Sequence, residues 1–212
     1  MARGRRKNED PATARRILAA AEQQFAAQGI EGARTDEIAT AAHANKAMLY
    51  YYFGDKRRLH RAVLENLLRQ FRSGVLALPT KNIGPREQFF GYVSGYFDFL
   101  ASHPNYPLLV QREAMAGSRN FDFMAREYFR PVYAQLARTI SEGITAGEFR
   151  KVDPGQMASI TMGMVTSYFA SAPIVSQIAG QDLLAPQAVA ARKKALFDFL
   201  EHAVVRQGGK KG

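Results

Sequence analysis

Between Thr35 and Leu59 the chain reads TDEIATAAHANKAMLYYYFGDKRRL, and this stretch constrains the fold more than any other. Two short apolar stripes, Ile38/Ala41/Ala42 and Leu49/Tyr52/Phe53, each fit one face of a helix. Thr35 is expected to cap the first, with Asp36 and Glu37 in the first turn, where acidic groups suit the helix dipole. Asn45 is expected to cap the second and Gly54 to end it. Asp55 then caps a longer helix whose stripe is Leu59, Val63, Leu67 and Phe71. Upstream, Ala14, Ile17, Leu18, Ala21 and Phe25 recur at helical spacing from Pro11 until Gly29, a C-terminal stop. A first helix followed by two short ones joined by a tight turn makes a helix-turn-helix, whose second helix lies in the major groove of DNA.

The residue types suit that task. Asn45 through Met48 form the exposed N-terminal end of the second short helix, where free backbone N–H groups favour a phosphate and Lys46 adds a cation. Tyr50 and Tyr51 point away from the Leu49/Tyr52/Phe53 side and can reach phosphate oxygens or base edges. Ala47 and Met48 offer apolar contact to a thymine methyl. Lys56, at the start of the next helix, supplies a second phosphate anchor.

On these residues the chain resembles the TetR family of transcriptional regulators. The match is Leu49-Tyr50-Tyr51-Tyr52-Phe53 with Lys56 and Leu59, preceded by Thr35-x-x-Ile38-Ala39 and by a first helix ending Phe25-x-x-x-Gly29. It covers roughly Ala14 to Leu64. The resemblance implies backbone contacts from Thr35, Lys46, Tyr50, Tyr51 and Lys56, and base contacts from Ala47, Met48 and Tyr51. Two positions depart from the pattern. His43 stands in the turn where Gly is usual, so a left-handed conformation is expected of a histidine. Asn45 stands where Ser or Thr is usual, and Asn is an acceptable cap.

The rest of the chain is also helical in its periodicity, with no alternating strand pattern. Helices are expected over Arg86–His103, Pro107–Met115, Asn120–Thr145 with a kink at Pro131, Asp153–Ser171 with Pro173 bending or breaking it, and Pro186–Arg206. The expected fold is therefore all-α, about nine helices, three short ones first and longer ones after. The expected organisation is a basic arm at 1–10, a DNA-binding domain at 11–62, a larger domain at 63–206 and a basic tail at 207–212.

Charge follows the same division. The chain carries 29 Lys and Arg against 19 Asp and Glu, net +10. Residues 1–62 hold 12 basic and 7 acidic side chains, residues 63–205 hold 14 and 12, and residues 206–212 add Arg206, Lys210 and Lys211. The excess sits at the two ends, which points to a polyanionic partner for the ends and not for the middle. The opening RGRRK reads either as a solvated tail or as a basic arm on DNA. It precedes acidic residues and no apolar run, unlike a secretory signal, and no run of about 18 apolar residues is expected to cross a membrane.

The resemblance implies that the near-neutral remainder is a ligand-sensing and dimerising domain. Its many rings are expected to be core for the most part, with a pocket for a small apolar or aromatic effector lined by Tyr96, Leu100, Met115, Phe129, Tyr133 and Met162. Gln111 or Arg112 would fix a polar or anionic end, although a structural salt bridge accounts for Arg112 equally well. Small residues at Ala158, Ser159, Gly163, Thr166, Ser167 and Ala170, with Leu196, Phe197 and Leu200, are expected at an isologous four-helix homodimer interface. No cysteine is present, His43, His60, His103 and His202 have no metal-ligand spacing, and no nucleophile or phosphate-loop motif occurs. Neither enzymatic activity, a metal nor a cofactor is expected. The reading is a cytoplasmic, effector-released repressor on double-stranded palindromic operator DNA. The alternative is an architectural helical DNA-binding protein without an effector, in which the space between the middle helices is filled.

Overall fold

A computed structural model describes residues 10–76 and 83–206, and among these residues the regular structure is helical. The basic stretches at 1–9 and 207–212, and residues 77–82, lie outside the described residues. The chain divides into two units, Met1–Leu67 and Leu68–Gly212.

In the first unit, α1 (Pro11–Gly32) opens on Asp10, whose carboxylate accepts from the Ala12 N–H at 3.0 Å. Gly29 breaks its helical geometry at φ 69°, so the regular helix stops where the glycine was expected to stop it. At 22 residues α1 is not short. The next two helices, α2 (Thr35–Ala41) and α3 (Lys46–Phe53), are. Thr35 is the first residue of α2, not its cap: Arg34 holds that position without a side-chain bond. The buried side of α2 is Ile38, Ala39 and Ala42, while Ala41 faces solvent. The core adds Ile17, Ala21, Phe25 and Leu49, and from α4 (Lys56–Leu76) Leu59, Val63 and Leu67. Each of the larger side chains, Ile, Leu, Val or Phe, contributes on the order of 1.5–3 kcal/mol when removed from water, and each alanine methyl less.

The second unit starts within α4 and continues through α5 (Pro85–Ser102), α6 (Tyr106–Met115), α7 (Arg119–Met124), α8 (Arg130–Thr145), α9 (Pro154–Ala179) and α10 (Pro186–Val204). Helix α5 is central. Phe89, Tyr92, Val93, Tyr96, Phe97, Phe99 and Leu100 are all buried, and α8, α9 and α10 pack around it. Gly95 allows α5 to approach α4 closely, because a Cβ there would lie 2.5 Å from the Gly74 carbonyl oxygen.

Two prolines lie within helical stretches. A π turn, Ala125–Phe129, joins α7 to α8 directly before Pro131. Pro131 has no N–H and its ring crowds the carbonyl four residues earlier. One wider turn, with the Arg130 N–H bonded to Ala125, meets that crowding without ending the rod. Counting α7, the π turn and α8 as one rod, the described residues hold nine. Pro173 neither ends nor breaks α9, which runs on to Ala179 and stops at Gly180 in the left-handed region.

By length and average composition alone α9 is apolar enough to cross a membrane, with a mean hydropathy of 1.2 over its most apolar window, but Ser, Thr and Gln interrupt it and it holds no unbroken run of 18 apolar residues. Its packing against α5 and α8 accounts for part of that apolarity: only 28% of the window is buried.

Candidate nucleic-acid interface and effector cavity

The turn between α2 and α3 is built by backbone bonds from Ala42 to Ile38, His43 to Thr40 and Ala44 to Ala39, at 2.9 to 3.0 Å. His43 adopts φ 49°, the only positive φ outside glycine among the described residues. From α1, the Arg16 Nε donates to the Ala42 carbonyl at 3.1 Å and closes the turn from beneath. Asn45 then caps α3, its side-chain oxygen accepting from the Met48 N–H at 2.8 Å. Gly54 ends α3 at φ 81°, and Asp55 caps α4 through the Arg58 N–H at 2.8 Å. Local sequence sets this geometry: a cap, a stop, a cap.

That geometry sorts the residues of α3. Leu49 is wholly buried and Tyr52 and Phe53 are half-buried, whereas Lys46, Ala47, Tyr50 and Tyr51 are exposed and Met48 is half-buried. Thr35 is half-buried at the start of α2. The Tyr52 hydroxyl accepts from the Asp10 N–H at 2.9 Å, so α3 is tied to the root of α1, where the basic N-terminal stretch joins.

The two lysines are not equivalent. Lys46 pairs with Asp36 across the turn at 2.8 Å, both side chains about half exposed. The hydrogen bond to Lys46 holds the Asp36 carboxyl below its usual range, and the same bond raises the lysine. Lys56, expected as a phosphate anchor, donates from its amine to the carbonyls of Glu31 and Ala33, at 3.1 and 3.2 Å. These are carbonyls beyond the Gly29 break, which α1 leaves without helical partners. Two of the three ammonium donors of Lys56 thus tie it to the end of α1.

In the second unit a cavity of about 420 Å³ opens between α4, α5, α6, the π turn and α9. Its walls include Tyr96, Gln111, Phe129 and Met162, four of the eight residues named from sequence. The other four lie elsewhere. Leu100 is fully buried in packed core. Met115, at the last turn of α6, is 82% exposed. Tyr133 faces outward and its hydroxyl donates to the Gly155 carbonyl at 2.8 Å. Arg112 is exposed and does not line the cavity, so no guanidinium stands ready for an anion there. Phe71, Tyr106, Pro107, Val110, Thr166 and Ala170 complete the walls and were not expected there from sequence. Phe71 had been read as the last residue of the stripe on α4, and Thr166 and Ala170 as dimer-interface residues.

Rings pack closely on one side of this cavity. Phe71 lies almost parallel to Tyr106, centroids 5.9 Å apart, and edge-on to Tyr96, Phe99 and Phe129 at 5.5 to 6.1 Å. The Tyr96 hydroxyl meets Thr166 Oγ1 at 2.6 Å, and Thr166 donates onward to the Met162 carbonyl at 2.9 Å. Burial raises the hydroxyls of Tyr96 and, further, of Tyr106, so both remain protonated at neutral pH. Among the described residues no group of three His, Cys, Asp or Glu side chains could hold a metal ion.

A helix-turn-helix on a three-helix core, followed by a larger helical unit, defines a class of DNA-binding transcriptional regulator. The chain belongs to the TetR family: residues 17–63 match the model for bacterial regulatory proteins of the tetR family, and residues 85–200 match that for the tetracyclin repressor-like C-terminal domain. It is 37% identical over 107 residues to the HTH-type transcriptional repressor SCO4008 of Streptomyces coelicolor, covering 50% of this chain and 52% of that protein. It is 31% identical over 110 residues to the repressor NicS of Pseudomonas putida, covering 52% of each. The matches thus span about half the length of these relatives. A Saccharomonospora viridis transcriptional regulator solved in complex with choline shares the fold, with a TM-score of 0.72 at 20% identity, over 93% of this chain and all of that one.

Proposed function

We propose that this protein is a cytoplasmic transcriptional repressor that binds operator DNA as a homodimer and is released by a small, mainly apolar effector. The exposed side of α3 supports the first part. It presents Lys46, Ala47, Met48, Tyr50 and Tyr51 together, with Thr35 and Asn45 beside the helix start, while Leu49 anchors the helix to the core. Phosphate contacts would come from Thr35, Lys46 and Tyr50 and base contacts from Ala47, Met48 and Tyr51. Lys56, two of whose donors hold the end of α1, would offer the third to a phosphate.

The single observation that carries the effector is the cavity of about 420 Å³ within the helical unit, in the size range of small-molecule sites. An architectural protein with a filled core would lack it.

Dimerisation rests on the outer face of α9. Ile160, Gly163, Ser167, Ile174 and Ile178 share one exposed face, and α10 adds Phe199, 56% exposed. Nothing lies within 4 Å of where a Gly163 Cβ would stand, leaving room for a close helix from a second copy. Leu196 and Leu200, expected at this interface, are instead buried within their own subunit, and Thr166 and Ala170 face the cavity.

The test is selection of bound duplexes from a random library, with light scattering on the same preparation. The expected result is a dimer and a palindrome with half-sites about one turn apart, ~34–36 Å. A monomer at micromolar concentration, or a selected sequence without two-fold symmetry, refutes the proposal.

A further inference from the structure

The cavity of the second unit has a neighbour. Between α4, α5, α8 and α9 lies a narrow void of about 20 Å³. The two spaces share two wall residues, Tyr96 and Met162, which stand between them. Val75, Val93, Val132, Val165 and Leu136 supply most of the inner lining, and all five are buried. The hydroxyls of the two tyrosines in that lining are engaged, Tyr92 with Gln135 and Tyr96 with Thr166. A buried water needs two to four polar partners. Thr161 is the remaining polar residue of this lining, so the void favours hydrocarbon over water.

The partition between the two spaces has one fixed and one adaptable side. Tyr96 is held by its 2.6 Å bond to Thr166 and by an edge-on contact with Phe71. Met162 is fixed at its backbone, where its carbonyl accepts from Thr166, but its side chain is unbranched and adapts to what lies beside it. A rotamer change at Met162 joins the void to the cavity. At about 20 Å³ the void then admits the end of a chain and not a ring. Atoms around such a void lack contacts on one side, and a hydrocarbon end supplies them. Depth runs the same way. Gln111 is exposed at the cavity, Met162 is half-buried, and the valines beyond it are buried. A polar group is costly in the apolar void and stays where an amide and water reach it.

We infer that the effector is a slender amphiphile whose unbranched hydrocarbon tail passes Met162 and ends in the inner void, with its polar end left beside Gln111. This rests on the reading of the cavity as the effector site. It makes Met162 the gate to the void, and Val132, on the wall of the void, a residue that sets tail length.

The probes are the 1-alkanols from butanol to dodecanol, and 6-cyclohexylhexan-1-ol, which has the carbons of dodecanol but ends in a ring. Their dissociation constants are measured calorimetrically on the full chain and on Val132→Ile, Val132→Ala and Ala170→Phe, each checked for its helical spectrum and melting. A buried methylene is worth about fourfold in affinity, so the alkanols are expected to tighten by about that factor per carbon until the void is full. Val132→Ile puts one more carbon into the void and is expected to weaken dodecanol about fourfold, while butanol and the cyclohexyl probe stay within about twofold of wild type. Val132→Ala enlarges the void and is expected to tighten dodecanol by about the same factor, again sparing the other two. A dodecanol affinity that Val132→Ile leaves unchanged, or a loss shared equally by butanol or the cyclohexyl probe, overturns the inference. Ala170→Phe fills the outer cavity and distinguishes the two levels of the argument. If it leaves all binding unchanged, or if the wild type binds none of the probes, the effector-site reading fails and the inference with it. If it blocks binding while Val132→Ile spares dodecanol, only the inference fails.

Discussion

Lys56→Met separates two roles of this lysine, in the fold and on DNA. Its amine lies 3.1 and 3.2 Å from the carbonyl oxygens of Glu31 and Ala33. A hydrogen bond from a charged donor contributes ~1.5–3 kcal/mol when well buried, but here the amine is partly solvated. Discounting for that exposure, the loss of both bonds costs about 1–2 kcal/mol in total. Methionine keeps most of the aliphatic stem and its packing, so the loss is one of charge and hydrogen bonds. A destabilisation of that size lowers the melting temperature of a chain of this length by roughly 2–8 °C. The discriminating assay is the salt dependence of binding to a non-specific duplex. A lysine on a phosphate contributes about 0.9 to the slope of log affinity against log salt, per subunit. The substitution is expected to lower the melting temperature through the two bonds to α1, and to reduce the slope by about 0.9 per subunit through the third donor. Unchanged melting would falsify the first role, and an unchanged slope in the folded protein would refute the second.

Four further outcomes rest on the packing. Lys46→Ala is expected to reduce that same salt slope by about 0.9 per subunit, and Asp36→Asn to tighten non-specific binding by freeing the Lys46 amine; titrations at several salt concentrations read both, and weaker binding by Asp36→Asn would contradict the competition. Ile174→Arg with Ile178→Arg charges the exposed face of α9 and is expected to yield monomers in light scattering, with the helical spectrum retained; a persistent dimer would place the interface elsewhere. Gly95→Ala pushes a methyl against the Gly74 carbonyl, 2.5 Å from the ideal Cβ position, and is expected to cost about 1–3 kcal/mol in denaturant unfolding; a neutral result would mean that α4 and α5 separate easily there.

What was legible in the sequence is what depends on near neighbours. The Asn45 cap, the stops at Gly29 and Gly54, and the left-handed His43 each follow from a residue and the few around it. Roles that depend on remote backbone were not legible. Nothing near Lys56 says that its amine will meet carbonyls 23 and 25 residues earlier, and nothing near Arg16 says that it will close the turn at Ala42. Helix α6 shows a second limit. Its stripe is weak, so sequence could not say which way it rotates, and Met115 and Arg112 turn outward while Tyr106 and Pro107 turn to the cavity.

Helix α10 shows a third limit, and it bears on assembly. Leu196, Leu200 and Val204 recur at four-residue spacing and enter the core of their own subunit, while Phe199 lies on another face and is exposed. Apolar residues on two faces indicate that a helix needs two partners, but periodicity alone does not say which face meets which. On α9 the same duality is stronger. Ala158, Thr161, Val165, Phe169 and Ala172 face inward, while Ile160, Ile174 and Ile178 face outward from a helix apolar enough to cross a membrane. The outward face carries no Lys or Arg, and a small residue stands at Gly163. A face that is apolar, uncharged and notched suits another helix of the same kind better than water, which is the ground for proposing that a second copy packs there.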